Sequence, residues 1–473
     1  MDRKLKYILL LILAFGFVIR LAPVRLDYHY WDEAVYLQHA QIIDGKSPNN
    51  YNEFDFRPPL FPLLLAPVML ATSSIAAIHV WVSLLSTLGI LVTYWLADDL
   101  FDKKTAVAAS LIYTVSPLAA TISHDILVDP VLPVFWLSTA FFMNRYLETA
   151  RRKYSALTGI TAALAVLMKF TSFLIIPAIV LSVLFYRSEK LDDLLSGEFY
   201  LDLFRDRSIW YMKAGFLLTF LPYLLWNYLS YGSPIFVFQK AIRLSGATDP
   251  FMTYVMGFGV FLLPTLYIGV LLYFTDFEWS HKDLMPLVFL LCLYIPLQFW
   301  LGNKEHRFLM PVIPFLSIIS ARGFMKQSRI FEDRDTKKLA AVIILVILSL
   351  PLLFTSMSDR NPLKKGLTVD QWHPPIENGI SWLKQNTPEN TTLYTNSRWP
   401  VLAYGTKRDT VVIPAELARK GSMKKVFDSR GYLYMFETGS HVPEIRSFMD
   451  SSQAFRTVKI INQDEAIYLY TGE

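Results

Sequence analysis

The chain is short of cysteine and short of charge. One cysteine, Cys292, stands among 473 residues. No intramolecular disulfide can form, so any part exposed outside a cell must hold together without one. Charged residues make up 18%, against about a quarter in soluble globular domains. The shortfall is uneven, because long apolar runs alternate with short charged loops. Lys and Arg number 45 and Asp and Glu 40, a formal charge of only +5. The basic residues lie in loops between apolar runs rather than on one dense face, which argues against nucleic acid as a partner. No internal repeat and no low-complexity segment stands out.

Apolar residues are what the chain has most of, at 53%. A helix that crosses a bilayer needs about 20 mainly apolar residues. Its backbone groups must be satisfied internally, so such runs are read as helices. Hydropathy predicts about eleven spans, at 7–22, 75–97, 105–122, 130–147, 155–168, 171–186, 213–231, 251–274, 284–301, 308–325 and 339–355. The pair at 155–186 also reads as one long kinked helix, which would invert everything after it. The first run follows Arg3, Lys4 and Lys6 as a signal peptide would. It lacks a small-residue cleavage site and is long, so a span is the better reading. The stretch 58–71 is apolar but holds Pro58, Pro59, Pro62 and Pro67, which places it at the membrane surface.

Loop charges set the orientation, since Lys and Arg accumulate in short cytoplasmic loops. A cytoplasmic N-terminus puts Lys103, Lys104, Arg151, Arg152, Lys153, Arg187, Lys190, Lys282, Lys326 and Arg329 on the same side. Residues 23–74 then form a large outer loop, and everything after about 356 lies outside. Two domains are expected: a membrane domain over 1–355 and an extracytoplasmic domain over 356–473. The second has no spanning run. Ile376–Gln385 reads as an amphipathic helix. Thr392–Thr395, Thr410–Ile413, Tyr432–Phe436, Thr457–Ile461 and Ala466–Tyr470 read as strands, a pattern that favours a small α/β fold. The sequon Asn390-Thr391-Thr392 agrees weakly with an outer location.

Candidate chemistry gathers in the outer loops. The first reads Tyr30-Trp31-Asp32-Glu33-Ala34-Val35-Tyr36-Leu37 and later Phe56-Arg57-Pro58-Pro59-Leu60. Val35, Tyr36, His39, Ile42 and Ile43 recur at helical spacing, so Asp32 and Glu33 open a short helix. The helix dipole favours an ionised carboxylate there, the form a general base needs. Taken alone, the pair is also an ordinary helix cap. The prolines after Arg57 stiffen its backbone, and a fixed guanidinium suits two-pronged phosphate contact. The second outer loop holds His124, Asp125 and Asp129 ahead of Pro130. Asp125 and Asp129 share a face if the loop is helical. Taken alone they are also helix caps ahead of Pro130; with Asp32 they could form an oxygen and nitrogen donor set for a divalent cation. Lys169 stands isolated between apolar runs, a costly place unless it snorkels or finds a partner. His306 and Arg307 lie in the last outer loop, and Lys240 and Arg243 in the loop 232–250.

The Asp-Glu pair, the Tyr after it, the Ala and Gly spacing and the Arg before Pro-Pro resemble the GT-C glycosyltransferases. The likeness is to the protein O-mannosyltransferases that use dolichyl-phosphate mannose, and to the lipid A aminoarabinose transferases. The order of features matches over roughly 1–355. The resemblance implies an α-helical polytopic fold of GT-C type with a C-terminal soluble α/β domain, in a prokaryotic cell membrane. It implies a polyprenyl-phosphate-linked sugar as donor, with membrane lipids around it, and a protein, lipid or glycan hydroxyl as acceptor. Asp32 matches the catalytic base, with Glu33 beside it. Arg57 and Lys169 match contacts to the carrier phosphate. His124, Asp125, Asp129, Arg243, His306 and Arg307 are further substrate-binding candidates. Some relatives need a metal and some do not, so a divalent cation stays open and no other cofactor is implied. The Trp-Trp-Asp motif of oligosaccharyltransferases and the long insert of eukaryotic protein O-mannosyltransferases are absent. A transporter or flippase is the alternative class; it would place charges near the bilayer midplane and show repeated halves.

The orientation is directly testable. A topology reporter fused at Gly472 should signal the extracytoplasmic side, and a cytoplasmic signal would overturn the loop-charge assignment.

Overall fold

The computed structural model describes residues 3–21, 31–43, 57–72, 74–188, 196–244, 254, 264–300, 304–327, 335–357, 376–397, 399–413, 426–427, 430–437, 442–452 and 454–471. The chain forms two compact units. The first comprises Met1–Leu26, Phe54–Phe61 and Ser74–Asp370; the second comprises Asp27–Glu53, Pro62–Ser73 and Gln371–Glu473. The helix that opens with Asp32 and Glu33 is thereby grouped with the C-terminal sheet, across more than 300 residues of sequence.

The helices are α1 (Arg3–Leu21), α2 (Trp31–Ile43), α3 (Leu60–Ala71), α4 (Ile75–Leu100), α5 (Lys103–Thr114) and α6 (Pro117–Ile122). Then come α7 (Leu132–Thr149), α8 (Arg152–Met168), a 3-10 turn (Phe170–Leu174), α9 (Ile175–Arg187), α10 (Gly197–Arg205), α11 (Arg207–Tyr231) and α12 (Phe236–Leu244). The membrane part closes with α13 (Pro264–Thr275), α14 (His281–Phe299), a second 3-10 turn (His306–Leu309), α15 (Val312–Lys326) and α16 (Asp335–Met357). Among the described residues, four helical stretches are long and apolar enough to cross a membrane: Ile75–Leu100, Phe170–Arg187, Arg207–Tyr231 and His281–Phe299.

One expected run is interrupted, for a local reason, and one expected break is present. The run at 105–122 breaks between α5 and α6. Ser116 is extended, as a residue before proline is driven to be, and Pro117 restarts the helix at the position where its missing N–H costs nothing. The expected separation of 155–168 from 171–186 falls at Lys169, whose backbone is extended between α8 and the first 3-10 turn.

Helices α8 and α11 cross where both carry glycine. A Cβ on Gly159 would run into the Met212 carbonyl oxygen, and one on Gly215 into that of Ala156. Small residues permit this approach, which is how helices associate where no hydrophobic effect drives them together. The outward side of α11 exposes Leu218, Leu221, Leu225 and Leu229, spaced at three to four residues. A stripe of that kind faces lipid rather than water.

The C-terminal part contains α17 (Glu377–Asn386), β1 (Thr392–Thr395), α18 (Trp399–Thr406), β2 (Thr410–Val412), β3 (Gly431–Phe436), α19 (Val442–Ser452), β4 (Phe455–Ile460) and β5 (Glu465–Tyr470). The five strands order as β2-β1-β3-β5-β4. Strand β1 runs parallel to β2 and β3, while β5 runs antiparallel to β3 and β4. Strand alternation sends Tyr394, Leu433 and Met435 to one face and Leu393, Tyr434 and Phe436 to the other. Both faces are cores, so the central strands are apolar throughout. The amphipathic helix and all five strands expected here are present, to within two residues at each end.

The glycine crossing gives a test. Gly159→Val places a branched side chain against the backbone of α11 and should destabilise the bundle by about 1–3 kcal/mol. Thermal unfolding in detergent measures this; an unchanged midpoint would mean the crossing is loose.

Candidate active site

In the membrane unit the site is built around one carboxylate. Asp129 is 1% exposed and ends the loop between α6 and α7. That loop, 123–131, is a series of turns and bends, so Asp125 and Asp129 do not share a helix face. Its turns close through the Leu127 N–H on the Asp125 carbonyl and the Val131 N–H on that of Val128. Asp125 pairs instead with its neighbour, His124 Nε2 lying 3.1 Å from its Oδ1.

Two cations converge on Asp129. Lys169 Nζ donates to its Oδ1 at 2.6 Å, and Arg307 Nε lies 3.8 Å from its Oδ2. Lys169 reaches it because the helix breaks there and the extended backbone turns the side chain inward. Burial pushes the Lys169 ammonium below the usual lysine range, and Asp129 beside it works in the opposite direction. The ammonium also sits 3.6 Å from the centre of the Phe308 ring, a further stabilisation of a desolvated cation. Arg307 has a second acid, donating from Nε to Glu305 at 2.5 Å. Two acids and two bases thus alternate in a partly buried row: Lys169, Asp129, Arg307, Glu305.

Sequence reasoning missed Glu305 and Phe308. The alternation Lys304-Glu305-His306-Arg307 marks a charged loop, but nothing local says which charge faces inward. His306 is partly buried, and burial holds its imidazole below the usual histidine range, hence neutral near pH 7. Arg57 is partly buried and stands immediately ahead of Pro58-Pro59 and α3, within the membrane unit. Lys240 lies partly buried in α12, and the side chain of Arg243 lies outside the described residues.

In the second unit, Asp32 and Glu33 occupy the first turn of α2, as expected. Asp32 is partly exposed and Glu33 buried. From Ala34 to Ala40 every residue of α2 is buried, and the helix packs on α18 of the C-terminal sheet domain. Among the described residues no three of His, Cys, Asp and Glu gather closely enough to hold a cation. The carboxylate of Asp129 is already engaged by Lys169 and Arg307.

Comparison with known proteins agrees with this architecture. A family model described as dolichyl-phosphate-mannose-protein mannosyltransferase matches residues 56–226. A search of curated proteins finds no match. Among solved structures, ArnT from Cupriavidus metallidurans bound to undecaprenyl phosphate is similar at a TM-score of 0.68 and 14% identity, over 98% of this chain and 97% of that one. The oligosaccharyltransferase of Archaeoglobus fulgidus in its apo form is similar at 0.63 and 12% identity, over 97% of this chain and 73% of that one. The archaeal oligosaccharyltransferase AglB from Archaeoglobus fulgidus, in complex with an inhibitory peptide and a dolichol-phosphate, is similar at 0.58 and 13% identity, over 91% of this chain and 68% of that one. At such identities the likeness is one of fold. The chain is an integral membrane protein with the GT-C glycosyltransferase architecture, as its loop motifs implied.

The charge row has a testable consequence. Removing one partner of a buried ion pair costs about 3–5 kcal/mol because the other is left uncompensated. Lys169→Met leaves Asp129 with Arg307, whereas Asp129→Asn leaves Lys169 without its closest acid. Asp129→Asn should therefore lower the thermal midpoint more than Lys169→Met, and the double variant should recover part of the loss. Simple addition of the two losses would show that the groups are not coupled.

Proposed function

We propose that the chain is a glycosyltransferase that moves a hexosyl or pentosyl group from a polyprenyl-phosphate carrier to a hydroxyl acceptor at the extracytoplasmic membrane face. The observation that carries this reading is the paired cation site of Lys169 and Arg307 inside a bundle of GT-C fold. Undecaprenyl phosphate and dolichol phosphate, present in the two structural neighbours, join an isoprenoid tail to an anionic head. Such a ligand needs lipid around its tail and desolvated cations around its phosphate.

Asp32 takes the proton of the acceptor hydroxyl as that oxygen attacks the anomeric carbon. The glycosidic bond forms on one face while the carbon–oxygen bond to phosphate breaks on the other, which inverts the centre. The electron pair leaves on the phosphate. Lys169 and Arg57 stabilise the growing charge, and in a partly desolvated site such groups act more strongly than in water. The phosphate needs little protonation to leave, so one base suffices, unlike the carboxylate pair of glycosidases. Asp129 and Glu305 hold Lys169 and Arg307 in place. The acceptor is a protein, lipid or glycan hydroxyl, with Asp125 and His124 on the loop that orients it.

The test supplies membranes containing the protein with a panel of polyprenyl-phosphate sugars and identifies products by mass spectrometry. Asp32→Asn, which keeps size and removes charge, should lower turnover by about 10² or more with donor affinity little changed. Near-normal turnover in that variant would refute Asp32 as base, and no product from any donor would refute the transferase reading.

A further inference from the structure

Arg20 closes α1, and its side chain is completely buried in the membrane unit. Among the described residues no carboxylate reaches it. A charged group buried in a membrane bundle is costly, and one kept there without a counter-ion calls for a function. Part of its role is local. Nη1 donates to the Gly16 carbonyl at 3.2 Å, which caps the last turn of its own helix as a basic residue does. The guanidinium also lies over the Tyr113 ring, 5.5 Å from its centre.

The rest of its bonding points elsewhere. Nε donates to Ser86 Oγ at 3.2 Å. Ser86 donates in turn to Ser123 Oγ at 2.9 Å, and Ser123 donates to the Ala119 carbonyl. All three side chains are fully buried. An arginine can only donate. Ser86 must therefore accept from it and spend its own proton on Ser123, which must spend its proton on the carbonyl. The arginine sets the direction of the whole relay.

Ser123 begins the loop that carries His124, Asp125 and Asp129. The same face of α4 holds that loop a second time. His79, Ser83 and Ser86 recur at i, i+4 and i+7, one side of a helix. His79 Nδ1 lies 2.6 Å from the His124 carbonyl. A carbonyl only accepts, so that ring nitrogen carries the proton. Ser83 donates to the Arg20 carbonyl at 3.3 Å, tying the end of α1 to the same stripe.

We infer that Arg20 is a positioning residue, which fixes the start of the second acidic loop through the Ser86–Ser123 relay. The inference rests on the glycosyltransferase reading for its kinetic consequence, and on geometry alone for its structural one. Arg20→Met keeps the apolar stem and removes every donor; Ser86→Ala cuts the relay without touching the charge. Both should raise deuterium uptake in the peptide spanning Ser123–Val131, with other membrane segments unchanged. With the most active polyprenyl-phosphate sugar of the panel above, both should lower kcat by about tenfold to a hundredfold, the range that misplacement of a site produces, with donor KM within about twofold. Arg20→Lys can serve Gly16 or Ser86 but not both, so it should recover activity only in part.

Unchanged uptake in the loop, or a loss of thermal stability with normal kcat, would reduce Arg20 to a helix cap and overturn the inference. If Arg20→Met does not fold, Ser86→Ala and Ser123→Ala decide the matter by the same two readouts. Normal turnover in Asp32→Asn would refute that residue's role as base, while the uptake result for Arg20 would still stand or fall on its own.

Discussion

A carboxylate buried in a helix bundle cannot be left alone, and Asp129 makes the membrane unit answer that requirement. An isolated ion loses its hydration, and only close, well-directed partners compensate. The partners come from distant parts of the chain. Lys169 comes from the break between α8 and the first 3-10 turn, and Arg307 from the second 3-10 turn. The break at Lys169 follows from the same requirement. A continuous helix would fix that side chain on a helical face, whereas extended backbone lets it reach across to the loop before α7. Glu305 and the Phe308 ring then balance the cations that Asp129 does not neutralise.

The same rule recurs elsewhere in the bundle. Asp283, near the start of α14, is 1% exposed and is shared between Arg322 at 3.3 Å and Lys326 at 3.5 Å. Asp99 on α4 takes Arg145 at 2.7 Å and the amide of Asn144 at 2.9 Å. In each case one acid joins a helix end to a neighbouring helix through two donors. Arg20 departs from this pattern, since among the described residues it meets a hydroxyl, a carbonyl and a ring instead of an acid. Charged groups here register helices against one another, and the helices themselves supply the apolar surface that keeps them in lipid.

Much of the architecture was legible because it is local. Strand alternation marked β1 to β5, and the acidic pair with apolar residues at helical spacing marked α2. The isolated Lys169 marked a helix boundary, since a lysine inside an apolar run must be explained. The break at Ser116-Pro117 carried an equally local signal, but hydropathy averaged over a window passes across it. Pairings were not legible. Asp129 and Lys169 are 40 residues apart in sequence, and periodicity says nothing about which loops meet. The turns of 123–131 were misleading for the opposite reason: two aspartates four apart suggest a helical face, while the loop spends its backbone on turns held from α4. The polar stripe His79, Ser83, Ser86 was visible as helical spacing inside an apolar span, and it reads as meaningful only once its partners are known.

The acidic helix α2 shows why a sheet domain at the far end of the chain matters to the placement of two acids near its beginning. A helix of 13 residues is marginal by itself in water, because nucleation is costly and few bonds reward it. Its stability must come from packing, and α2 is buried from Ala34 through Ala40. The partner it packs on is α18, whose Leu402 also belongs to one core of the C-terminal sheet. The first turn of α2, with Asp32 and Glu33, is therefore held by a helix that the sheet itself holds. A carboxylate placed by a rigid element keeps its geometry where one on a free loop would not. The strands that follow residue 376 thus belong to the account of how the acids at 32 and 33 are positioned.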